Sequence, residues 1–163
     1  MTQQLSSDQV WNELKQQIFA VLGVVTASGE ARTIGIVYIV NDHKIYISTE
    51  KDAWKTRHVQ SNPHVSLTVP IAKRIPIMPW IKIPAATITF SGTATVFEAK
   101  NVAGDILQAL FQGYESDPKK LATMSVLEIK PQGDFVTYGI GVPLMQMRYP
   151  EKARGRAPVM PTN

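Results

Sequence analysis

Cysteine is absent from this chain. Disulfides, thiolate nucleophiles and cysteine-ligated metal are therefore excluded. Histidine is scarce. His43, His58 and His64 fall in a turn, a helix and a strand start, without metal-ligand spacing, and each reads as a surface residue. No metal site is expected. There is no internal repeat, which excludes solenoids and propellers, and no low-complexity segment. No apolar run approaches the roughly 20 residues of a membrane span, and no basic segment followed by an apolar one opens the chain. The expectation is a soluble, cytoplasmic protein with no membrane partner.

Charge is also sparse. Charged residues make up 18% against 44% hydrophobic, which excludes disorder, and 163 residues suffice for one domain with a real core. The net charge of +4 suits an anionic ligand but selects no partner class. Basic residues are scattered rather than striped, so nucleic acid is not expected as a partner.

What is present centres on Lys44–Val69. Ile45 and Ile47 alternate with Lys44, Tyr46 and Ser48, the period of a half-buried strand. Ser48 and Thr49 end it. The run Glu50–Gln60 predicts about three helical turns, stopped near Ser61 by Pro63. His64–Val69 predicts the next strand. A strand ending in hydroxyls and feeding a helix leaves free backbone N–H groups, which favour an anion. Lys55, one turn in, adds a full charge. The residues fit an anion-binding corner, with a cofactor phosphate as the anion; they also fit a plain solvated basic face.

The rest of the chain supplies a frame. Ser6 or Ser7 can cap a helix to about Phe19, with Val10, Leu14, Gln17 and Ile18 on one face and Trp11 packing into the core. Strands are predicted at Ala20–Ala27 and Ala31–Val40 around a turn at Ser28-Gly29-Glu30, and at Ala86–Glu98, Val126–Ile129 and Phe135–Ile140. Pro131-Gln132-Gly133 reads as a turn. Helices are predicted over Asn101–Tyr114 and from Asp117 to Met124. Gly35 marks either a close ligand approach to the backbone or packing under a bulky neighbour. Residues 70–84 carry four prolines among apolar and basic residues, an extended arm that suits subunit wrapping, a ligand lid or membrane contact. After Gly141 the chain reads as a tail or arm. The fold class is mainly β: six to seven antiparallel strands in meander order, closed as a barrel, with helices at the margins.

Several motifs in order resemble one family. These are Ala31-Arg32-Thr33-Ile34-Gly35-Ile36-Val37-Tyr38, then Ile45-Tyr46-Ile47-Ser48-Thr49, then Lys55-Thr56-Arg57-His58-Val59, then Asn62-Pro63-His64-Val65. Phe90-Ser91-Gly92-Thr93-Ala94 and Leu127-Glu128-Ile129-Lys130-Pro131 follow. The set is similar to the pyridoxamine 5′-phosphate oxidase-like flavin-binding split barrels, over roughly residues 10 to 140. The resemblance implies a split β-barrel domain over 1–142 with a C-terminal arm over 143–163. It implies flavin mononucleotide (FMN), or a deazaflavin in one branch, bound at a homodimer interface. The phosphate would lie at Ser48, Thr49, Trp54 and Lys55, with Arg57 assisting. The ring edge would lie along the backbone near Thr33 to Ile36, with Arg32, Thr33, Ile34 and Gly35 among the cofactor-binding residues.

Two departures matter. The oxidase proper carries a C-terminal Arg-x-His that holds its substrate, whereas no histidine follows His64 here. Trp54 also stands where Arg or Ser is common. The resemblance thus implies a flavin-dependent oxidoreductase acting on a small substrate other than pyridoxamine phosphate. The alternative is a non-catalytic flavin-, deazaflavin- or haem-binding module. No catalytic acid or base stands out; Asp42, Asp52 and Asp117 fit turns and caps.

Overall fold

The structure is a computed structural model that describes residues 3–160. These form two compact units. One is built from residues up to Gln17, Leu67–Phe90 and those from Gln132 onward; the other from Ile18–Ser66 and Ser91–Pro131.

The first unit is organised around helix α1, Ser7–Gln16. Ser6 and Gln9 cap each other: Gln9 N–H donates to Ser6 Oγ, and Ser6 N–H donates to Gln9 Oε1. Val10, Trp11 and Leu14 are buried, as their spacing requires. The helix stops before Phe19 because Gln17 N–H closes on Leu14 O and the backbone turns extended. Ile18, expected on the buried face, is 70% exposed. Trp11 stacks edge-on against Phe135, with ring centroids 5.2 Å apart, and its Nε1 donates to Val159 O at 2.9 Å.

The expected turn at 131–133 is absent. Strand β8 runs unbroken from Met124 to Tyr138. Gly133 takes a φ of +71°, so the strand bends there rather than reversing. Its carbonyl accepts from Val159 N–H. Within the segment read as an arm, Pro150–Ala153 is a short helix and Arg154–Pro158 is strand β9. Strand β9 pairs antiparallel with β8, placing Phe135 opposite Ala157, and parallel with β1, Gln3–Gln4. Residues 161–163 lie outside the described residues.

Strands β6, His64–Ile71, and β7, Ala86–Glu98, match their predicted places. The Pro-rich segment between them folds into two consecutive turns, Met78 N–H donating to Ile75 O and Ile81 N–H to Met78 O. Its apolar tips are open to solvent, with Ile77 86% and Trp80 74% exposed.

The second unit begins with an antiparallel hairpin of β2, Phe19–Val25, and β3, Ala31–Val37. The single strand expected over 31–40 breaks at Tyr38, whose N–H donates to Ile18 O. Strand β4, Ile39–Asn41, then pairs with β5, Lys44–Glu50. Asp42 and His43 both take positive φ, the demand of a tight primed turn. Helix α2 is Trp54–Ser61. The helix expected over 101–114 is shorter: a 3-10 turn at Ala99–Asn101 precedes α3, Gly104–Phe111. Helix α4, Pro118–Ala122, is capped by Asp117, which accepts from the N–H groups of Lys119 and Lys120. Ile106, Leu107 and Phe111 of α3 pack on Tyr46 and Val126.

The hydrogen-bonded strand order is β1-β9-β8-β7-β6-β2-β3, with β2 and β3 ending one side, while β5 pairs with β8 and β4 with β5. The architecture is mainly β, as expected. It differs in three ways: there are nine strands among the described residues, the β1–β9 pair is parallel, and the order runs from β1 to β3 without closing. The added strands are short, two or three residues at β1 and β4, and carry too little pattern to read.

Candidate functional site

The corner between β5 and α2 is built differently from its sequence reading. Alternation along β5 sends Thr49 inward and Ser48 to the other face. Thr49 is buried, and its Oγ1 lies 3.2 Å from Oγ1 of Thr56. Thr56 Oγ1 donates to Glu50 O at 2.9 Å. The hydroxyl pair at the joint is therefore Thr49 and Thr56, and it braces the turn. Lys51 and Asp52 belong to that turn, closed by Ala53 N–H on Glu50 O, so the helix starts at Trp54 rather than Glu50.

The helix start itself is open. Its N-cap is Ala53, with no side-chain cap bond and no acidic residue in the first turn. Lys55 is half-buried and has no ion-pair partner among the described residues. Trp54 is half-buried and packs edge-on against His58, with centroids 5.6 Å apart. Arg57 is exposed. Unsatisfied N–H groups beside an unpaired ammonium form an anion-binding arrangement. The residues present thus fit a phosphate, through the backbone at 54–56 and Lys55.

Strand β3 places Arg32, Thr33 and Gly35 exposed and Ile34 half-buried. Arg32 is held by Glu30 at 2.8 Å, at the hairpin end. Gly35 lies under the ring of Phe19: a Cβ built on it would meet that ring at 2.9 Å. Of the two readings open for Gly35, this contact is the packing one.

Two features were missed by sequence reasoning. Tyr46, expected to face outward, is buried beneath α3. Its hydroxyl donates to Glu128 Oε2 at 3.0 Å, and Lys44 Nζ lies 3.4 Å from the same oxygen. Burial, and then that bond, pushes the Tyr46 hydroxyl up to about 12 from its ordinary 10.0. The folded chain keeps a proton that the unfolded chain releases, so this stabilisation is complete below pH 10 and declines between 10 and 12. Tyr46→Phe is expected to lose less stability across that window, read by urea titration at each pH. An unchanged slope would assign the alkaline loss to other groups. The second feature is a groove of about 600 Å³ within this unit, lined by Ser48 of β5, by Tyr38 at the break between β3 and β4, and by Lys120 of α4. Its residues come from seven separate stretches, so no local motif announces it.

Residues 6–134 match the family model for pyridoxamine 5′-phosphate oxidase. The chain belongs to that family. Solved structures carry the family fold at low identity. An F420 reductase matches at 16% identity with a TM-score of 0.54, over 75% of this chain and 91% of its own. HutZ, the haem storage protein from Vibrio cholerae, matches at 15% and 0.63, over 84% and 98%. A haem-binding protein from Mycobacterium smegmatis matches at 15% and 0.62, over 88% and 57%. No curated protein sequence matches. The family's split-barrel fold is thus the fold of this chain, with its strand order left open.

Proposed function

We propose that this chain is an FMN-binding oxidoreductase of the pyridoxamine-phosphate-oxidase type, acting on a small molecule other than pyridoxamine phosphate. The observation that carries it is the uncapped start of α2 beside the half-buried Lys55, which has no ion-pair partner among the described residues. In this reading the backbone at 54–56 and Lys55 hold the phosphate, and Arg57 adds long-range attraction. Thr49 acts through Thr56, fixing the turn that sets the helix start. The exposed residues of β3 lie along the ring, with Phe19 swinging from Gly35. When bound, the flavin supplies the hydride chemistry; the protein positions it and excludes water. The proposed assembly is a cytoplasmic homodimer with its cofactor sites at the subunit interface.

A second reading is a non-catalytic module for flavin, deazaflavin or haem. It is favoured by the lack of an acid–base pair in the corner and by the named haem storage protein on the same fold. A spectrum of the purified protein, with mass analysis of what heat releases, separates the two. Flavin bands that bleach with reduced nicotinamide support the enzyme; a Soret band or inert flavin supports the module. Lys55→Ala is expected to weaken FMN binding by roughly 1–3 kcal/mol, as loss of a charge-assisted contact would. Equal affinity in titration calorimetry would remove the phosphate assignment.

A further inference from the structure

The two turns between β6 and β7 hold apolar side chains out in water. Ile77 and Trp80 are the most exposed large apolar side chains among the described residues, at 86% and 74%. Cations frame them. Lys73 and Arg74 precede the turns and Lys82 follows, and no ion pair engages any of the three among the described residues. No aspartate or glutamate occurs in the sequence between Asp52 and Glu98, so the charge here is of one sign. The backbone suits an apolar cover. Pro76 and Pro79 carry no N–H, while Met78 and Ile81 close theirs on Ile75 O and Met78 O. Few donors at the tip therefore lose water when it is covered.

Exposed aliphatic and aromatic side chains in one place mark an interaction surface. A protein interface depletes lysine at its core, so a protein cover would have to bring carboxylates to each cation. The outer layer of an anionic bilayer supplies both complements at once: an acyl boundary for Ile77 and Trp80, and headgroup phosphates for Lys73, Arg74 and Lys82. Tryptophan favours that boundary, with its ring in the apolar layer and its N–H in the wet one. We infer that the segment 72–85 docks on an anionic lipid surface, with Ile77 and Trp80 entering the acyl boundary and the three cations resting on headgroup phosphates. The contact is peripheral and needs no spanning run. It does not rest on the flavin reading, since Lys55 and the start of α2 take no part in it.

The test uses the full chain and vesicles of phosphatidylcholine, alone or mixed with phosphatidylglycerol, at low salt. The chain is expected to float with the mixed vesicles and to leave them as salt is added. Brominated lipid is expected to quench its tryptophan emission, and Trp80→Phe to remove that quenching, because Trp11 is buried and Trp54 lies on α2. Lys82→Gln is expected to weaken binding to mixed vesicles about fivefold, one cation's share near an anionic surface. Ile77→Ser combined with Trp80→Ser is expected to abolish flotation with an unaltered melting temperature and sedimentation coefficient, since both side chains stand in solvent. Lys55→Ala is expected to float as the parent does, which separates a bilayer contact from a phosphate held at the corner. The inference is overturned if the chain does not float with mixed vesicles or floats equally with both kinds. It is overturned if the double variant still floats, if quenching survives Trp80→Phe, or if Lys55→Ala alone abolishes binding. It is also overturned if the double variant dissociates an oligomer, because the tip is then covered by a second copy of the chain.

Discussion

Trp11→Ala is expected to remove about 3–5 kcal/mol of stability, the range for deleting a large buried aromatic. Three contributions combine. The ring is 1% exposed, so its whole transfer energy is at stake. The edge-on contact with Phe135 is lost, and Phe135 also packs edge-on against Phe90, with centroids 5.4 Å apart, so the void opens into a three-ring cluster. The Val159 carbonyl loses the Nε1 donor, though Ser7 Oγ donates to it as well at 2.8 Å and limits that part. A loss of this size is a large share of the roughly 5–15 kcal/mol of a typical domain. Urea unfolding should show the midpoint falling by a third or more. Trp11→Phe keeps most of the volume and is expected to recover over half of the loss. Equal midpoints for Trp11→Ala and the parent would mean that this cluster does not support the unit.

Gly92→Val is expected to cost about 3 kcal/mol or to prevent folding, the upper range for overpacking. Gly92 is buried at the centre of β7. A Cβ there would stand 2.7 Å from the Lys130 carbonyl oxygen and 3.0 Å from Ile129 Cγ2. A backbone atom cannot swing aside, so β7 and β8 must part. Gly35→Ala provides the contrast. Its Cβ meets only the edge of the Phe19 ring, which is 45% exposed and free to move, so about 1 kcal/mol or less is expected. Thermal melts of the two variants side by side check the difference. Similar melting temperatures would contradict the distinction between a backbone and a side-chain neighbour.

The same contrast explains what could be read from the sequence. Strands with strong period-two patterns, β6 and β7, were legible nearly to the residue, as were the Ser6 cap, the buried Trp11 and the Asp117 cap. Local signals govern these. Readings failed where a distant partner decides. Pro131-Gln132-Gly133 has turn chemistry, yet the strand continues because Val159 bonds across the bend at Gly133. The tail lacks periodicity, yet β9 forms because β8 and β1 flank it. Tyr46 alternates outward until α3 covers it. At the corner, the sequence showed the strand, the helix after it and Lys55 near the helix start. It mispaired the hydroxyls, because which side of β5 meets α2 depends on Thr56 returning to Glu50. The groove was invisible, since its residues share no local pattern.

The bond from Trp11 to Val159 spans 148 residues of sequence. Its consequence lies in the order of events during synthesis. Helix α1 emerges from the ribosome early, with its apolar stripe formed but its partners unmade. Val159 is made 148 residues after Trp11, so the Trp11 cluster cannot assemble until that later stretch is available. Closing so long a loop is entropically demanding and slows folding. Val10, Trp11 and Leu14 therefore stay exposed while the intervening residues are made, which makes α1 a segment that a chaperone would hold.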